Sequence, residues 1–388
     1  MIRSQQAHLP VVALTDPGMR GKNNEDRFAV VALRSSEGSN PPALLAVLAD
    51  GIGGHRAGEV AAEMTVNLIS AYVLENGDKL PPTTLLEEAI ITASSTIYDH
   101  ARSHREKNGM GATCVCAYIL GDRLFTASVG DSRIYLLRKG SIHQLTTDHT
   151  WIQEALERGL ISPEQAQNHP NSHVIRRFLG SPTPPQVDLR LRLNGGESDD
   201  QAINNQGLHL QEGDRLLLCS DGLTDLVSDE EILGLLESQP ARQAAESLIE
   251  LANQRGGHDN ITLLVVEVPP GSLPQSRPKI SRRWWLWGCI VLLMVALLGG
   301  LLGGGALWLL KRSAPSPTPT RFSSKTVAVS RPLLFKYSAT SSGKFSSSLN
   351  FKVPPWSSFS GDDPLRGQFR SIGDCRRDGL ALQTRVTL

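Results

Sequence analysis

Six apolar runs of strand length crowd into the first 267 residues, at 43–49, 113–119, 124–129, 133–138, 215–220 and 261–267. A chain with this much strand-forming sequence must bury it in sheets, and the order of the runs limits which sheets are possible. Amphipathic helix-like segments fall at 57–76, 84–104, 150–159, 229–238 and 241–254. They do not alternate one for one with the strands. The strands come in clusters, as across 113–145, where Gly121-Asp122 and Lys139-Gly140 supply hairpin-like breaks. The pattern predicts an α+β fold with helices gathered outside antiparallel sheets, not a parallel sheet built from β-α units. Residues 189–211, with GGESDDQAINNQG at their centre, read as a surface excursion between strands.

The folded unit is expected to span residues 1–268. Residues 269–283 read as a basic linker. Trp284 to Leu310 then runs for 27 residues without a charge. At about 1.5 Å per residue this is about 40 Å of helix, against a hydrocarbon core of about 30 Å. The expectation is a single transmembrane helix, spanning with tilt. Trp284, Trp285 and Trp287 would mark one interface and Trp308 the other. Arg277, Lys279, Arg282 and Arg283 flank the N-terminal side, and Lys311 and Arg312 the other. The larger basic cluster places the N-terminal unit in the cytoplasm. Gly299, Gly300, Gly303 and Gly304 make two overlapping G-x-x-x-G pairs, readable as a dimerisation face or as incidental small residues. Residues 311–388, rich in Ser and Pro, are expected to be disordered.

The overall charge of zero conceals an asymmetry. Residues 1–275 carry 22 Lys/Arg against 35 Asp/Glu, a net of −13. That acidity argues against a nucleic-acid partner, which requires a basic footprint. The five cysteines form no C-x-x-C, so no zinc ribbon or thioredoxin-type site is indicated. Cys114 and Cys116 lie two apart in an apolar run and read as core packing in a reducing compartment.

Chemistry concentrates where apolar strands end. LLAVLADGIGG closes one run with Asp50, and RLLLCSDG closes another with Asp221. Asp131 follows Gly130 after LFTASV, Asp259 stands just before ITLLVV, and Asp26 stands just before Phe28 to Leu33. One Asp-Gly is an ordinary turn. Five aspartates at strand edges repel one another unless a cation lies between them. Hard oxygen ligands without a His/Cys cluster suit Mg²⁺ or Mn²⁺. Two such ions sharing a carboxylate would acidify a water and offset the charge of a phosphate ester under in-line attack, with no covalent intermediate. Consistently, the chain contains neither G-x-S-x-G nor a Cys followed by an arginine-rich phosphate loop. It also lacks G-x-x-x-x-G-K-[ST].

NNED at 23–26, DGIGGHRAGE at 50–59, GMGATCV at 109–115, GDSRIYLL at 130–137, LTTDHTW at 145–151, DRLLLCSDGLTDLV at 214–227 and GGHDNITLLVV at 256–266 occur in this order. Together they resemble the type 2C, metal-dependent serine/threonine protein phosphatases in their bacterial form, over about residues 8–268. The resemblance implies two antiparallel sheets packed face to face, with helices outside and metals in a cleft at one end. It implies that Asp50 bridges two ions, with the Gly51 carbonyl on one of them, and that Asp221 and Asp259 complete that ion's shell. Asp26, with Glu25 nearby, would hold water ligands of the second ion. Asp131, with Asp221, would hold a third, weaker ion, and Asn260 would orient its neighbour. Residues 151–180 resemble the mobile flap beside the cleft. The implied reaction is hydrolysis of phosphoserine and phosphothreonine on proteins, reversing Ser/Thr kinases; the run Trp284–Leu310 adds the expectation that this occurs from a membrane-anchored position.

Two positions depart from the family pattern. The phosphate-binding arginine expected five residues before Asp26 is Gly21, with Arg20 and Lys22 on either side; Arg20 is expected to serve. The position two after Asp50, a histidine in animal members, is Ile52. His55 stands nearby, with two readings: a general acid for the leaving group, or a helix-start residue that positions the loop. His149 and His173, in or near the flap, read as structural or surface residues.

Overall fold

A computed structural model describes residues 1–21, 23–35, 41–52, 57–166, 169–272 and, alone beyond these, Met294. The run Trp284–Leu310 and the tail 311–388 therefore lie outside the described residues, Met294 excepted. Among the described residues no helix is long and apolar enough to cross a membrane.

In chain order the strands are β1 (Ile2–Arg3), β2 (Val11–Asp16), β3 (Arg27–Arg34), β4 (Ala43–Ala49), β5 (Gly51–Ile52), β6 (Gly111–Ala112), β7 (Cys114–Leu120), β8 (Arg123–Val129), β9 (Arg133–Arg138), β10 (Ser141–Gln144), β11 (Leu208–His209), β12 (Arg215–Cys219) and β13 (Ile261–Glu267). The α-helices are α1 (Gly58–Asn76), α2 (Pro82–Ser103), α3 (Trp151–Glu157), α4 (Pro163–Ala166), α5 (Asp199–Asn204), α6 (Asp221–Thr224), α7 (Asp229–Ser238) and α8 (Ala241–Gln254). One sheet has the order β1-β3-β4-β7-β8-β11 and the other β10-β9-β12-β13-β2, and β5-β6 is a small third pair. All pairings are antiparallel.

Three apolar layers follow from strand alternation. Leu44, Ala46 and Leu48 of β4 and Val115, Ala117 and Ile119 of β7 pack with Ile134 and Leu136 of β9, Leu216 and Leu218 of β12, and Leu264 and Val266 of β13. The intervening residues turn outward. Leu45, Val47, Cys114, Cys116 and Tyr118 meet α1 and α2, while Tyr135, Leu217, Leu263 and Val265 meet α7 and α8. Central strands thus have no wet face, which is why ALLAVLA in β4 is apolar at every position and buried throughout.

Local chemistry sets the connections. Lys139 (φ 51°) and Gly140 (φ 77°) form the two-residue turn that pairs Arg138 with Ser141, the backbone a tight antiparallel hairpin requires. Ser228 and Glu231 make reciprocal capping bonds at the start of α7, as do Ser198 and Gln201 at α5. That second cap corrects the surface-excursion reading of 189–211. The segment carries α5 and β11, pairs with β8, packs Leu191 and Leu210 into the sandwich core, and buries Ala202. Its apolar residues are too widely spaced to show a period.

Candidate metal centre

All five predicted aspartates stand at strand ends. Asp26 precedes β3, Asp50 lies between β4 and β5, and Asp131 between β8 and β9. Asp221 opens α6 after β12, and Asp259 lies two residues before β13. The sandwich brings them together from both sheets. Asp26 and Asp131 are buried, Asp50 and Asp221 half-buried, and Asp259 exposed. The group therefore has a buried floor and one open side.

Its electrostatics are those of crowded like charges. Burial, followed by the Asp26, Asp221, Asp131 and Asp259 carboxylates, pushes the Asp50 carboxyl well above the usual range. Burial also drives Asp26 up to about 7, with hydrogen bonds from Thr262 and Ser220 opposing and Asp221 and Asp259 adding to the rise. Asp221 reaches about 6 through burial, then Asp225 and Asp259, against a hydrogen bond with Asp50. Asp131 is raised by burial and then by Asp221 and Asp148. Asp26 Oδ1 and Asp131 Oδ1 are buried without a hydrogen-bond partner. Unpartnered carboxylate oxygens in a cluster of raised carboxyls are a donor set suited to hard divalent cations. The residues present fit such ions.

Backbone geometry explains the glycines beside the aspartates. A Cβ on Gly51 would collide with the backbone of Gly58 and come within 2.8 Å of the Glu25 carbonyl. Gly51 therefore lets the start of α1 and the Glu25–Asp26 loop close against Asp50. Gly130 adopts φ +106°, and a Cβ there would press on Thr113 at 2.6 Å.

Ser220, Thr113 and Ser132 had escaped sequence reasoning, whereas Asn260 was expected to orient its neighbour. Ser220 Oγ donates to Asp26 Oδ2 at 2.8 Å. Thr113 Oγ1 accepts the Asp50 N–H at 3.1 Å and shares a hydrogen bond with Ser132 Oγ at 2.8 Å, tying the Asp50 turn to the Asp131 turn. Asn260 Oδ1 accepts the Glu25 N–H at 2.7 Å, while its own N–H donates to Asp259 Oδ1 at 2.9 Å. Asn260 therefore fixes two ligand loops at once. The usable signal was a small polar residue inside an apolar run, as Thr262 is in ITLLVV.

The remaining predicted residues are more scattered. Arg20 is exposed, and its guanidinium lies 3.0 Å from His258 Nδ1. Its loop packs on the one carrying Asp259, with the Met19 N–H donating to the Gly257 carbonyl at 2.9 Å. His55 and Lys22 lie outside the described residues. His173 is exposed, 3.3 Å from Asp225. With Asp221 and Asp225 it forms a group of three whose candidate ligand atoms lie within 4.8 Å of one another. His149 is buried, as a structural residue would be.

The fold and this carboxylate centre define a class of metal-assisted hydrolases, and comparison with known proteins narrows it. Residues 16–158 match the family described as Protein phosphatase 2C, and 188–269 match Stage II sporulation protein E. A serine/threonine phosphatase of Listeria welshimeri is 38% identical over 257 residues, covering 65% of this chain and 93% of that protein. The serine/threonine protein phosphatase PstP of Mycobacterium tuberculosis is 36% identical over 277 residues, 70% of this chain and 48% of its own length. The crystal structure of its phosphatase superposes with a TM-score of 0.56 at 34% identity, covering 67% of this chain and 99% of that one. The structure of its catalytic domain in complex with two manganese ions has a TM-score of 0.53. The chain belongs to the protein phosphatase 2C family and is an enzyme of that class.

Proposed function

We propose that residues 1–268 hydrolyse phosphoserine and phosphothreonine on proteins, with Mn²⁺ or Mg²⁺ as cofactor, and that the chain does so from a membrane. It is a serine/threonine protein phosphatase; the observation that carries this reading is the convergence of four carboxylates on Asp50. In this reading Asp50 and the Gly51 carbonyl, with Asp221 and Asp259, hold the ions. Asp26 and Glu25 hold ligand waters, and Asp131 with Asp221 takes a third ion. When bound, the ions acidify a coordinated water and offset phosphate charge. The chain's own residues keep the ligands in place: Ser220 and Thr262 orient Asp26, and Thr113 fixes the Asp50 turn. Arg20, beside the Asp259 loop, is assigned to donate to a phosphate oxygen. His55 is assigned to protonate the serine or threonine leaving group.

The test is turnover of a phosphothreonine peptide by the full-length chain with Mn²⁺, and its loss in EDTA. Turnover that persists in EDTA and in Asp50→Asn would overturn the metal assignment.

Support for the membrane is the uncharged run Trp284–Leu310 with its basic flanks, which also assigns the catalytic unit to the cytoplasmic side. There it would oppose Ser/Thr kinases acting on proteins near the bilayer. Recovery of the chain in the membrane fraction after alkaline washing checks this, and a freely soluble full-length chain would refute it.

A further inference from the structure

His149 and Asp188 lie outside the carboxylate cluster, and the reading above uses neither. Both are buried. His149 grips the Gly130 peptide on both sides. Its backbone N–H donates to the Gly130 carbonyl at 2.9 Å, and its Nδ1 accepts the Gly130 N–H at 3.0 Å. An acceptor at Nδ1 leaves the ring proton on Nε2, which faces Asp188 Oδ2 at 3.2 Å. Asp188 is itself fixed. Its carboxylate accepts from the Arg190 guanidinium at 2.6 Å, and its backbone exchanges two hydrogen bonds with Ser128 of β8.

The gripped residue is the one before Asp131, held at its N–H by the ring and at its carbonyl by the His149 backbone. Gly130, at φ +106° with Thr113 against it, has no room for a side chain that could anchor the turn. The turn is held instead from outside, by Thr113 through Ser132 on one flank and by His149 on the other. His149 also roots the segment 151–180, since its carbonyl accepts the Arg176 N–H at 2.8 Å and the next residue, Thr150, bridges to Ile175. One residue therefore joins the base of that segment, through its backbone, to the Asp131 turn, through its ring.

We propose that His149, oriented by Asp188, is a positioning residue for the metal centre. By holding the Gly130 peptide it keeps the Asp131 carboxylate, whose Oδ1 is buried and unpartnered, aimed at a divalent cation. The proposal rests on reading Asp131 as a metal ligand.

Two substitutions separate the two faces of the ring. His149→Asn keeps an acceptor near the Nδ1 position and gives up the contact with Asp188. His149→Gln reaches Asp188 with an amide N–H and offers Gly130 no acceptor. In the full-length chain, His149→Gln should speed amide exchange of Gly130 in EDTA. It should also raise the Mn²⁺ concentration for half-maximal binding, read by calorimetry, and for half-maximal phosphopeptide turnover by about tenfold. Saturating Mn²⁺ should recover kcat, which loss of folded protein would not permit. His149→Asn should restore most of the lost affinity. The opposite order, Asn impaired and Gln intact, overturns the proposal, because His149 would then serve only Asp188 and the core. Asp131→Asn is the control. Unchanged Mn²⁺ affinity there overturns the reading of Asp131, whereas weakened affinity with an unaffected His149→Gln overturns only the role of His149. The unaltered chain gives a check that needs no variant: a ¹⁵N–¹⁵N coupling between Gly130 and His149 Nδ1 across the hydrogen bond. Its absence likewise overturns the proposal.

Discussion

Asp26 and Asp188 are both buried carboxylates, 3% and 7% exposed, and they titrate in opposite directions. Asp188 accepts from His149 and from the guanidinium and backbone N–H of Arg190, which together outweigh burial and hold its carboxyl well below the usual range. Arg190 and Arg192 continue the pairing to Asp199 at 3.1 and 2.6 Å. Asp26 has hydroxyl donors only, and it faces other carboxylates. The protein supplies the cation for Asp188 and withholds one from Asp26. A buried carboxylate that the chain neutralises is finished structure; one left beside its own kind is a valence kept for an ion from solution.

Four experiments would break or sharpen that contrast. The largest effect is expected from Asp50→Asn, which should lower kcat/KM by about 10³-fold or more, since the carboxylate assigned to bridge the ions is lost. The same change should raise thermal stability in EDTA, because it removes a buried carboxyl that its carboxylate neighbours push upward; a variant less stable in EDTA would contradict the contrast. Next, Asp188→Asn should cost about 3 kcal/mol in denaturant unfolding by leaving the half-buried Arg190 guanidinium short of its counter-charge. Third is the pH dependence of the apo protein. Asp26 at about 7 and Asp221 at about 6 bind protons in the folded state that the unfolded chain, with carboxyls near 4, has released. Their contribution is therefore fully present at low pH and is lost as pH rises towards 7. In EDTA, Tm should fall by on the order of 5 °C between pH 5 and pH 8, and Mn²⁺ at pH 8 should reverse the fall. The smallest effect is expected at Arg20. Arg20→Ala should raise KM for a phosphopeptide about tenfold with kcat little changed, as loss of one exposed phosphate contact would.

The same contrast explains what was legible in the sequence. Asp50, Asp131 and Asp221 stand beside glycines at the ends of apolar runs, and that pattern survives without knowledge of the fold. Buried strands such as β4 announce themselves because both of their faces are dry. Edge strand β2 is only half-buried and its VVALTD blends into its surroundings, while the two-residue pair β5-β6 is too short for any period. Residues 189–211 hide their anchoring because Leu191, Ala202 and Leu210 are separated by polar stretches. His149 illustrates the harder case. Its sequence neighbours say nothing about Gly130, because the contact exists only once β8, β9 and the residues after β10 have folded against one another.

The centre also has a consequence for how the molecule is made. Glu25, beside the first ligand, donates its N–H to Asn260, beside the last, across 235 residues. Strand β2 near the start of the chain is paired along its length by β13 at the end of the unit. Synthesis runs from one to the other, so a nascent chain still on the ribosome carries Asp26, Asp50 and Asp131 long before Asp221 and Asp259 exist. The ion-binding set is assembled by the final strand to arrive. On the proposed assignment, a copy that stops short of β13 lacks both the Glu25–Asn260 tie and the pairing of β2 that close the centre, so catalytic competence waits for the end of the unit.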